Sequence, residues 1–505
     1  MTSHPTPDRA ESPTAGADRR RRRLLMVANP FPPLASGGNA RQVRFARFLP
    51  EYGWDVTVLT VRAQGPAPVP EGLCVERAAA PGPDGLYRAA RRAARGVRRT
   101  VDRRSAGEEA GCSGDQVPHI ESAAEADSAD RSPSGRAAAA SETRVGGPPP
   151  GVQRRSSRRG AVNDWLFVPD EWAGWIGPAV ILGRRLLRDA PYDAIMSSFP
   201  RPSTQLVASI LAGESGLPWL ADYRDPWATR HLRHYPTSLH RRAHYALEEW
   251  TLHRAAAVTA TAEPIAASLR HRFPPLADRV TVLPNGYDAI DGTFPPVDLG
   301  QGFWLVHTGR LYGRSEQLRR VLHAFATLPP EVKLLFVGVE GGEIRRQAAE
   351  LGVGERVRTL PFVPHHVALA YQRAADGLVL ITGNAPEALS SKVFEYLAAG
   401  RPIFAYIPAR SAAADLLEEC GGAAIAAQSE PPDGPLRRFV EQVRSGAVPP
   451  PDDDAVARYD GRTLTRRLGA LLDCLADQSE ARLVRRYADS PSRAGPPAGG
   501  PGDRA

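Results

Sequence analysis

Two glutamates separated by seven residues, Glu387 and Glu395, are the side chains whose types and spacing most clearly indicate chemistry. The apolar run Gly377–Ile381 before them is typical of a buried strand, and the segment around Glu395 has the pattern of a helix that stops at Gly400 and Pro402. A strand, a polar loop and a helix N-terminus together direct backbone N–H groups at an anion. One carboxylate could then reach a sugar hydroxyl and the other a ribose, with phosphates between them. The pattern predicts a nucleotide-sugar site.

A second candidate is the loop that begins Gly309-Arg310 and continues to Gly313-Arg314 after the apolar run Phe303–Thr308. Ligands of parallel α/β sheets bind at the carboxyl ends of the strands, where this loop must lie. Two arginines flanking a glycine suit a diphosphate, because guanidinium groups offer planar forks of donors and glycine permits close approach. The alternative is that the arginines are only exposed loop residues, and it competes most strongly for Arg314.

The first half of the chain contributes two weaker candidates. Gly37 and Gly38 precede a predicted helix, so their backbone could approach a ligand, although a tight turn explains a double glycine equally well. Residues 222–227, Asp-Tyr-Arg-Asp-Pro-Trp, end a predicted strand. Asp225 could orient an acceptor hydroxyl or take its proton, or could form an Arg–Asp pair that only fixes the loop. The residues leave these two interpretations equally open.

Residues 387–402 resemble the Glu-x7-Glu signature of retaining glycosyltransferases with the GT-B fold, family 4 (group 1) in particular. Residues 222–227 look like the Asp-x-Arg-Asp-Pro-Trp motif of a family 4 subgroup that acts on polysaccharides and related acceptors. Residues 284–288 resemble the family's P-N-G-x-D segment, whose Asn-Gly turn we expect to be architectural. The resemblance covers roughly residues 23–97 and 163–480. Glu387 and Glu395 could also be merely solvated, but the strand before them, Lys392 and Phe394 between them and the residues up to Pro402 favour the functional interpretation.

The resemblance implies a hexosyltransferase that needs no metal and no cofactor besides its nucleoside-diphosphate-sugar donor. The acceptor it implies is a glycan, a lipid-linked sugar or a small natural product. The family usually has a lysine a few residues after Arg310, and this chain has none there. The implied roles are Glu387 on the sugar hydroxyls, Glu395 on the ribose, Arg310 with Arg314 or Lys392 on the leaving diphosphate, and Ser390 and Ser391 as loop amides to the phosphates.

Composition limits the class of protein. The 505 residues are 42% hydrophobic and 24% charged, as in an ordinary globular protein of two or three domains. The net charge of +8 is carried almost wholly by arginine, since Lys333 and Lys392 are the only lysines, and this bias makes the charge weak evidence for nucleic-acid binding. The four cysteines are far apart and have no metal-ligand spacing. No apolar run is long enough for a transmembrane helix, so we expect a cytoplasmic protein with at most peripheral contact at the inner face of the membrane.

Repeated strand–helix units predict an α/β protein of the GT-B type, with two facing Rossmann-like domains and a cleft between them. We expect residues 23–295 to form the N-terminal acceptor domain and residues 300–460 the C-terminal donor domain. A helix over residues 461–487 should cross back to the first domain. Residues 1–22, an insertion at 101–160 and residues 488–505 have the composition of disordered segments.

Three other functions remain open at this stage. A sugar-nucleotide epimerase uses a similar two-domain fold and needs no acceptor. An inactive partner subunit would keep the fold without the reaction. An NAD(P)-dependent oxidoreductase is disfavoured, because the sequence has no dinucleotide fingerprint. Among the histidines, we expect His307 to be packed and His365 and His366 to be surface or capping residues.

Overall fold

The computed structural model describes residues 20–34, 39–65, 67–80, 168–229, 235–289, 294, 297–311, 315–387 and 389–488. The strands in this part of the chain form two sheets, each with parallel pairings. The first sheet contains β1 (Arg22–Ala28), β2 (Trp54–Val61), β3 (Cys74–Ala78), β4 (Ala194–Ser198), β5 (Trp219–Tyr223), β6 (Ala257–Ala260) and β7 (Val280–Val282). The second contains β8 (Phe303–Thr308), β9 (Val332–Val337), β10 (Val357–Leu360), β11 (Gly377–Ile381), β12 (Ile403–Ile407) and β13 (Ala423–Ala427).

Helices connect most pairs of successive strands in both sheets, whereas β2 and β3 follow each other without a helix in the described residues. Those of the first half are α1 (Asn39–Phe48), α2 (Ile176–Asp189), α3 (Pro202–Ser215), α4 (Ser238–Leu252) and α5 (Glu263–Arg272). Those of the second half are α6 (Ser315–Ala326), α7 (Gly342–Glu350), α8 (His365–Ala374), α9 (Ser391–Ala398), α10 (Ala412–Cys420), α11 (Asp433–Arg444), α12 (Asp453–Ala457) and α13 (Gly461–Ala488).

The strand order of each sheet determines where a ligand can bind. The first sheet runs β3-β2-β1-β4-β5-β6-β7 and the second β10-β9-β8-β11-β12-β13. In the first sheet, successive strands are added on one side of β1 up to β3, and from β4 onward on its other side. In the second sheet the same change of side occurs at β8, and β11 is the first strand on the other side. Open parallel sheets bind ligands at the carboxyl ends of the strands at such reversals. The residues that follow β8 and β11 consequently lie at the site that topology favours.

The central strands are buried on both faces, which explains why their sequences are continuous apolar runs rather than alternating ones. In β1, Leu24 to Ala28 are all fully buried, and every residue of β11 is buried. Each sheet separates two apolar clusters, one on each face. The strands are thereby fixed rigidly enough to hold the loops at their ends.

The last helix, α13, packs on the first sheet although it follows the second sheet in the chain. Leu464, Leu468 and Leu472 recur every four residues, are fully buried, and lie in the same apolar cluster as Met26 and other residues of β1 and α1. Trp54 Nε1 donates to Asp473 Oδ1 at 3.1 Å. These contacts join the end of the chain to its first domain.

The predicted fold class is confirmed: the chain has two Rossmann-like α/β sheets. Two local predictions were incomplete. The sequence pattern missed β3, a five-residue edge strand beside β2 that follows a Pro-rich stretch. The first strand begins at Arg22, inside the segment predicted to be disordered, and Arg22 Nη1 bonds Asp473 Oδ1 at 2.7 Å. The predicted insertion at 101–160, residues 1–19 and residues 489–505 lie outside the described residues.

Candidate donor site and its relatives

Helix α9 presents the second glutamate and the only lysine near it on one face. Ser390 is its N-cap, and its Oγ accepts a hydrogen bond from Lys392 N at 3.2 Å, which explains why the helix starts here. Val393, Phe394, Tyr396 and Leu397 are buried against the second domain, whereas Lys392 and Glu395 are only partly buried. Residues three apart in a helix lie on the same face. The ammonium and the carboxylate are therefore both carried on the partly exposed face at the start of this helix.

The end of β8 lies directly beside α9 in the candidate site. Thr308 N donates to Tyr396 Oη at 2.7 Å, so the helix that carries Glu395 is anchored directly to this strand end. Gly309 follows with φ +80°, and a Cβ built there would lie 3.2 Å from Lys392 Cε. Only glycine suits both the backbone conformation and the close passage of the lysine stem. Arg310 is the next residue and is exposed.

Glu387 lies in the loop between β11 and α9 and is partly buried. A backbone bond from Ala412 N to Pro386 O, 2.9 Å long, holds the loop next to Glu387. Asn285 Nδ2, from the first domain, donates to Leu389 O at 2.9 Å. Leu389 packs against apolar clusters of both domains. The loop that carries Glu387 is thus fixed from both sides of the cleft.

Arg44 of α1 fastens the chain segment that leads from the first domain to the second. It is buried, and its guanidinium bonds the Asp288 carboxylate and the carbonyls of Asn285 and Gly286. Gly286 has φ +68°, and a Cβ there would collide with Leu464 and the Tyr459 carbonyl. The architectural role expected for this Asn-Gly turn extends to the cleft, because the same turn positions Asn285.

His365, the first residue of α8, contacts the second glutamate of the motif. Its Nε2 lies 3.1 Å from Glu395 Oε1. The hydrogen bond to Glu395 raises the pKa of His365, with burial and the Arg44 charge opposing it and the negative charge of Asp288 supporting it. No local pattern predicts this pair, because the two residues are thirty positions apart and on different helices. His365 was expected to be a surface or capping residue; it is an exposed residue at the start of α8, and it is also a neighbour of the candidate site.

Asp222, the first carboxylate of the Asp-x-Arg-Asp motif, is completely buried and structural. It accepts bonds from Arg41 Nη2 at 2.8 Å and Nε at 3.0 Å, from Ser198 Oγ at 2.8 Å and from Thr259 Oγ1 at 2.7 Å. Burial alone acts to raise the pKa of Asp222, but the Arg41 charge and these hydrogen bonds outweigh it and lower the pKa below its usual value. The carboxylate therefore remains ionised and ties α1 to the ends of β4, β5 and β6.

Asp225 lies at the carboxyl end of β5, in the first domain, and Glu387 lies in the second. Asp225 Oδ2 is 3.2 Å from Arg224 Nη2, and the Asp225 side chain is about one-third exposed. The Arg–Asp pair considered for this loop is thus present, while a role toward an acceptor stays a prediction. Three other predicted site residues, Gly37, Gly38 and Arg314, lie outside the described residues.

Two family models match the chain and together span more than half of it. The model described as glycosyl transferase 4-like domain matches residues 127–286, and the model described as glycosyl transferases group 1 matches residues 302–433. The chain belongs to the group 1 glycosyltransferases. The second match includes both Glu387 and Glu395, and the first includes Asp222 and Asp225. No curated protein matches this glycosyltransferase in sequence.

Solved structures share the fold of this glycosyltransferase at low sequence identity. Anabaena HepE in complex with UDP-glucose has 14% identity and a TM-score of 0.51, covering 92% of this chain and 99% of that one. Sucrose-phosphate synthase from Thermosynechococcus elongatus has 14% identity and a TM-score of 0.51, covering 93% and 100%. The apo lipopolysaccharide outer core galactosyltransferase WaaB has 11% identity and a TM-score of 0.52, covering 90% and 99%. At such identities the likeness shows the GT-B fold.

Two further features of this glycosyltransferase concern metals and membranes. Across the described ranges, no three His, Cys, Asp or Glu side chains are grouped as metal ligands. None of the helices in those ranges has an apolar stretch long enough to cross a bilayer.

Proposed function

We propose that this glycosyltransferase is a retaining enzyme that moves a sugar from a nucleoside-diphosphate donor to an acceptor hydroxyl. The observation that carries the proposal is the meeting of the Glu387 loop, the start of α9 and the end of β8 at the chain reversal of the second sheet. Lys392 and Glu395 share the partly exposed face of α9, and the stem of Lys392 passes close to Gly309. Anions bind at helix N-termini and beside glycine backbones because free backbone N–H groups point at the ligand there.

In this proposal the donor is held along its whole length by the second domain. Glu395 binds the ribose hydroxyls and Glu387 the sugar hydroxyls, because carboxylates are strong hydrogen-bond acceptors. Arg310 and a second cation, Lys392 or Arg314, neutralise the diphosphate as the glycosidic bond breaks. Cations placed where negative charge develops contribute several kcal/mol of transition-state stabilisation. The loop amides at Ser390 and Ser391 complete the phosphate contacts.

The first domain, which we propose to be residues 23–295, would bind the acceptor, and residues 300–460 the donor. Asp225 is the carboxylate that we assign to the acceptor side, where it would orient the hydroxyl that attacks the sugar. The acceptor is a glycan, a lipid-linked sugar or a natural product. UDP is the first nucleotide to test, because HepE is a structural relative that binds UDP-glucose.

Thermal unfolding with UDP, GDP, ADP and TDP tests the donor site. A nucleotide at a hundred times its Kd should stabilise the wild type by about 2.7 kcal/mol. Glu395→Ala should lose this stabilisation, whereas Glu418→Ala, which removes an exposed glutamate of α10, should keep it. Stabilisation of the wild type by none of the four nucleotides would sink the active-transferase proposal and favour an inactive partner subunit.

A second experiment separates transfer from epimerisation. The wild type is incubated with the nucleotide sugar whose base stabilises it, without acceptor, and the sugar is analysed by NMR. A transferase returns the donor unchanged or slowly hydrolysed. A change of configuration in the nucleotide-linked sugar would favour the epimerase instead.

A further inference from the structure

His307 is a fully buried imidazole directly behind the candidate phosphate site. It is the penultimate residue of β8, with no exposed surface. Its Nδ1 lies 2.8 Å from Val379 O of the neighbouring strand β11. Its ring packs against the Phe336 ring, with centroids 5.7 Å apart. The imidazole is therefore fixed in place and in orientation by the second sheet.

The contacts of the ring determine where its proton lies. A carbonyl oxygen can only accept, so the bond to Val379 O requires the proton on Nδ1. In the neutral ring, Nε2 is then an acceptor. Lys392 Nζ lies 3.3 Å from Nε2 and can only donate to it. Gly309 O, 3.1 Å from Nε2, also only accepts, but a neutral ring has one proton, and the shorter contact of 2.8 Å to Val379 O places it on Nδ1. The neutral ring is also the form favoured beside an ammonium, because a charged ring would repel it.

We propose that His307 is a positioning residue, which accepts a hydrogen bond from Lys392 and thereby holds its ammonium over Gly309 for the donor diphosphate. Lysine carries a flexible four-carbon stem, and fixing one of its three donors orients the other two. This inference rests on the proposed function, and within it assigns the second phosphate contact to Lys392. His307 itself touches no substrate.

The test compares UDP with uridine, which lacks the phosphates, by calorimetry on the full chain. Lys392→Ala should weaken UDP and leave uridine unchanged. His307→Asn keeps a donor for Val379 O but has no acceptor near the Nε2 position, and should weaken UDP by about tenfold with uridine unchanged. His307→Gln, whose amide oxygen can stand near the Nε2 position, should recover most of the affinity. The double variant His307→Asn with Lys392→Ala should bind UDP no more weakly than Lys392→Ala alone.

Several outcomes would overturn the inference. If His307→Asn lowers the melting temperature but leaves the Kd for UDP unchanged, His307 is only a packed core residue. If the two losses add in the double variant, His307 does not act through Lys392. A wild type that binds no nucleoside diphosphate fails the proposed function instead, so the two failures are distinguishable.

A measurement on the wild type keeps the inference testable if His307→Asn does not fold. The chain has two lysines, so lysine labelled at its side-chain nitrogen gives two ammonium signals, assigned with Lys392→Arg. Lys333, whose Nζ bonds Gln301 O at 2.6 Å on an exposed surface, serves as the internal control. The Lys392 ammonium protons should exchange with water more slowly than those of Lys333, and their signal should move when UDP is added. Equal exchange rates would overturn the hydrogen bond to His307.

Discussion

Arg41→Ala should destabilise the first domain strongly, because it leaves the Asp222 carboxylate buried without its cation. Both side chains are almost wholly inaccessible, at 2% and 0% exposure. The substitution removes the donors Nε and Nη2 from the Asp222 carboxylate and the donor Nη1 from Pro284 O, which it bonds at 2.5 Å. Only the hydroxyls of Ser198 and Thr259 then remain on the carboxylate. Removing one partner of a buried ion pair costs about 3–5 kcal/mol.

The assay is urea denaturation followed by tryptophan fluorescence, since Trp54, Trp219 and Trp227 are buried in the first domain. With an m-value of about 2–3 kcal/mol/M, the loss corresponds to a midpoint lowered by roughly 1–2 M urea. Arg47→Ala on the same helix is the matched control, because Arg47 is exposed and should change stability by less than about 0.5 kcal/mol.

The pH dependence checks the cause. The folded-state pKa of Asp222 is lowered, so its contribution to stability is present above the ordinary Asp pKa and is lost as the pH falls through the lowered value. The gap between wild type and Arg41→Ala should therefore be widest near neutral pH and narrow in acid. A gap below about 1 kcal/mol, or one that does not change with pH, would refute the reasoning.

Three further substitutions test contacts around the donor site. Gly309→Ala adds a Cβ 3.2 Å from Lys392 Cε at φ +80°, so urea denaturation should show a loss of about 1–2 kcal/mol and calorimetry weaker UDP binding; unchanged values would contradict the close packing. His365→Gln removes a group whose pKa is raised by its bond to Glu395. The protonated imidazole is the form paired with Glu395, so its contribution to the free energy of unfolding should be full below the ordinary His pKa and be lost as the pH rises through the raised value. Unfolding measured over a pH series should show this loss in the wild type but not in the variant. The same loss in both proteins would implicate another group. Asn285→Ala removes the bond to Leu389 O and should lower the free energy of unfolding by about 1 kcal/mol. An unchanged free energy of unfolding would show that the domains do not need this bond.

The sequence alone determined the fold class and the donor-side elements. Continuous apolar runs such as Gly377–Ile381 predict strands buried on both faces, and β8 and β11 have the predicted bounds. Their order then predicts which loops lie at the ligand-binding edge, because parallel sheets align their carboxyl ends. Edge strand β3 was missed, since five residues with incomplete burial carry little pattern.

Only the tertiary structure decided which polar side chains belong together. Glu395 with His365, His307 with Lys392, and Arg41 with Asp222 are separated by thirty or more positions. Neither helical nor strand periodicity extends across such distances, so no local pattern encodes these pairs. The sequence could not distinguish Asp222, whose carboxylate is buried and bonded on every side, from the partly exposed Asp225 three residues later. Burial depends on the packing of α1 against the strand ends, and that packing exists only in the folded chain.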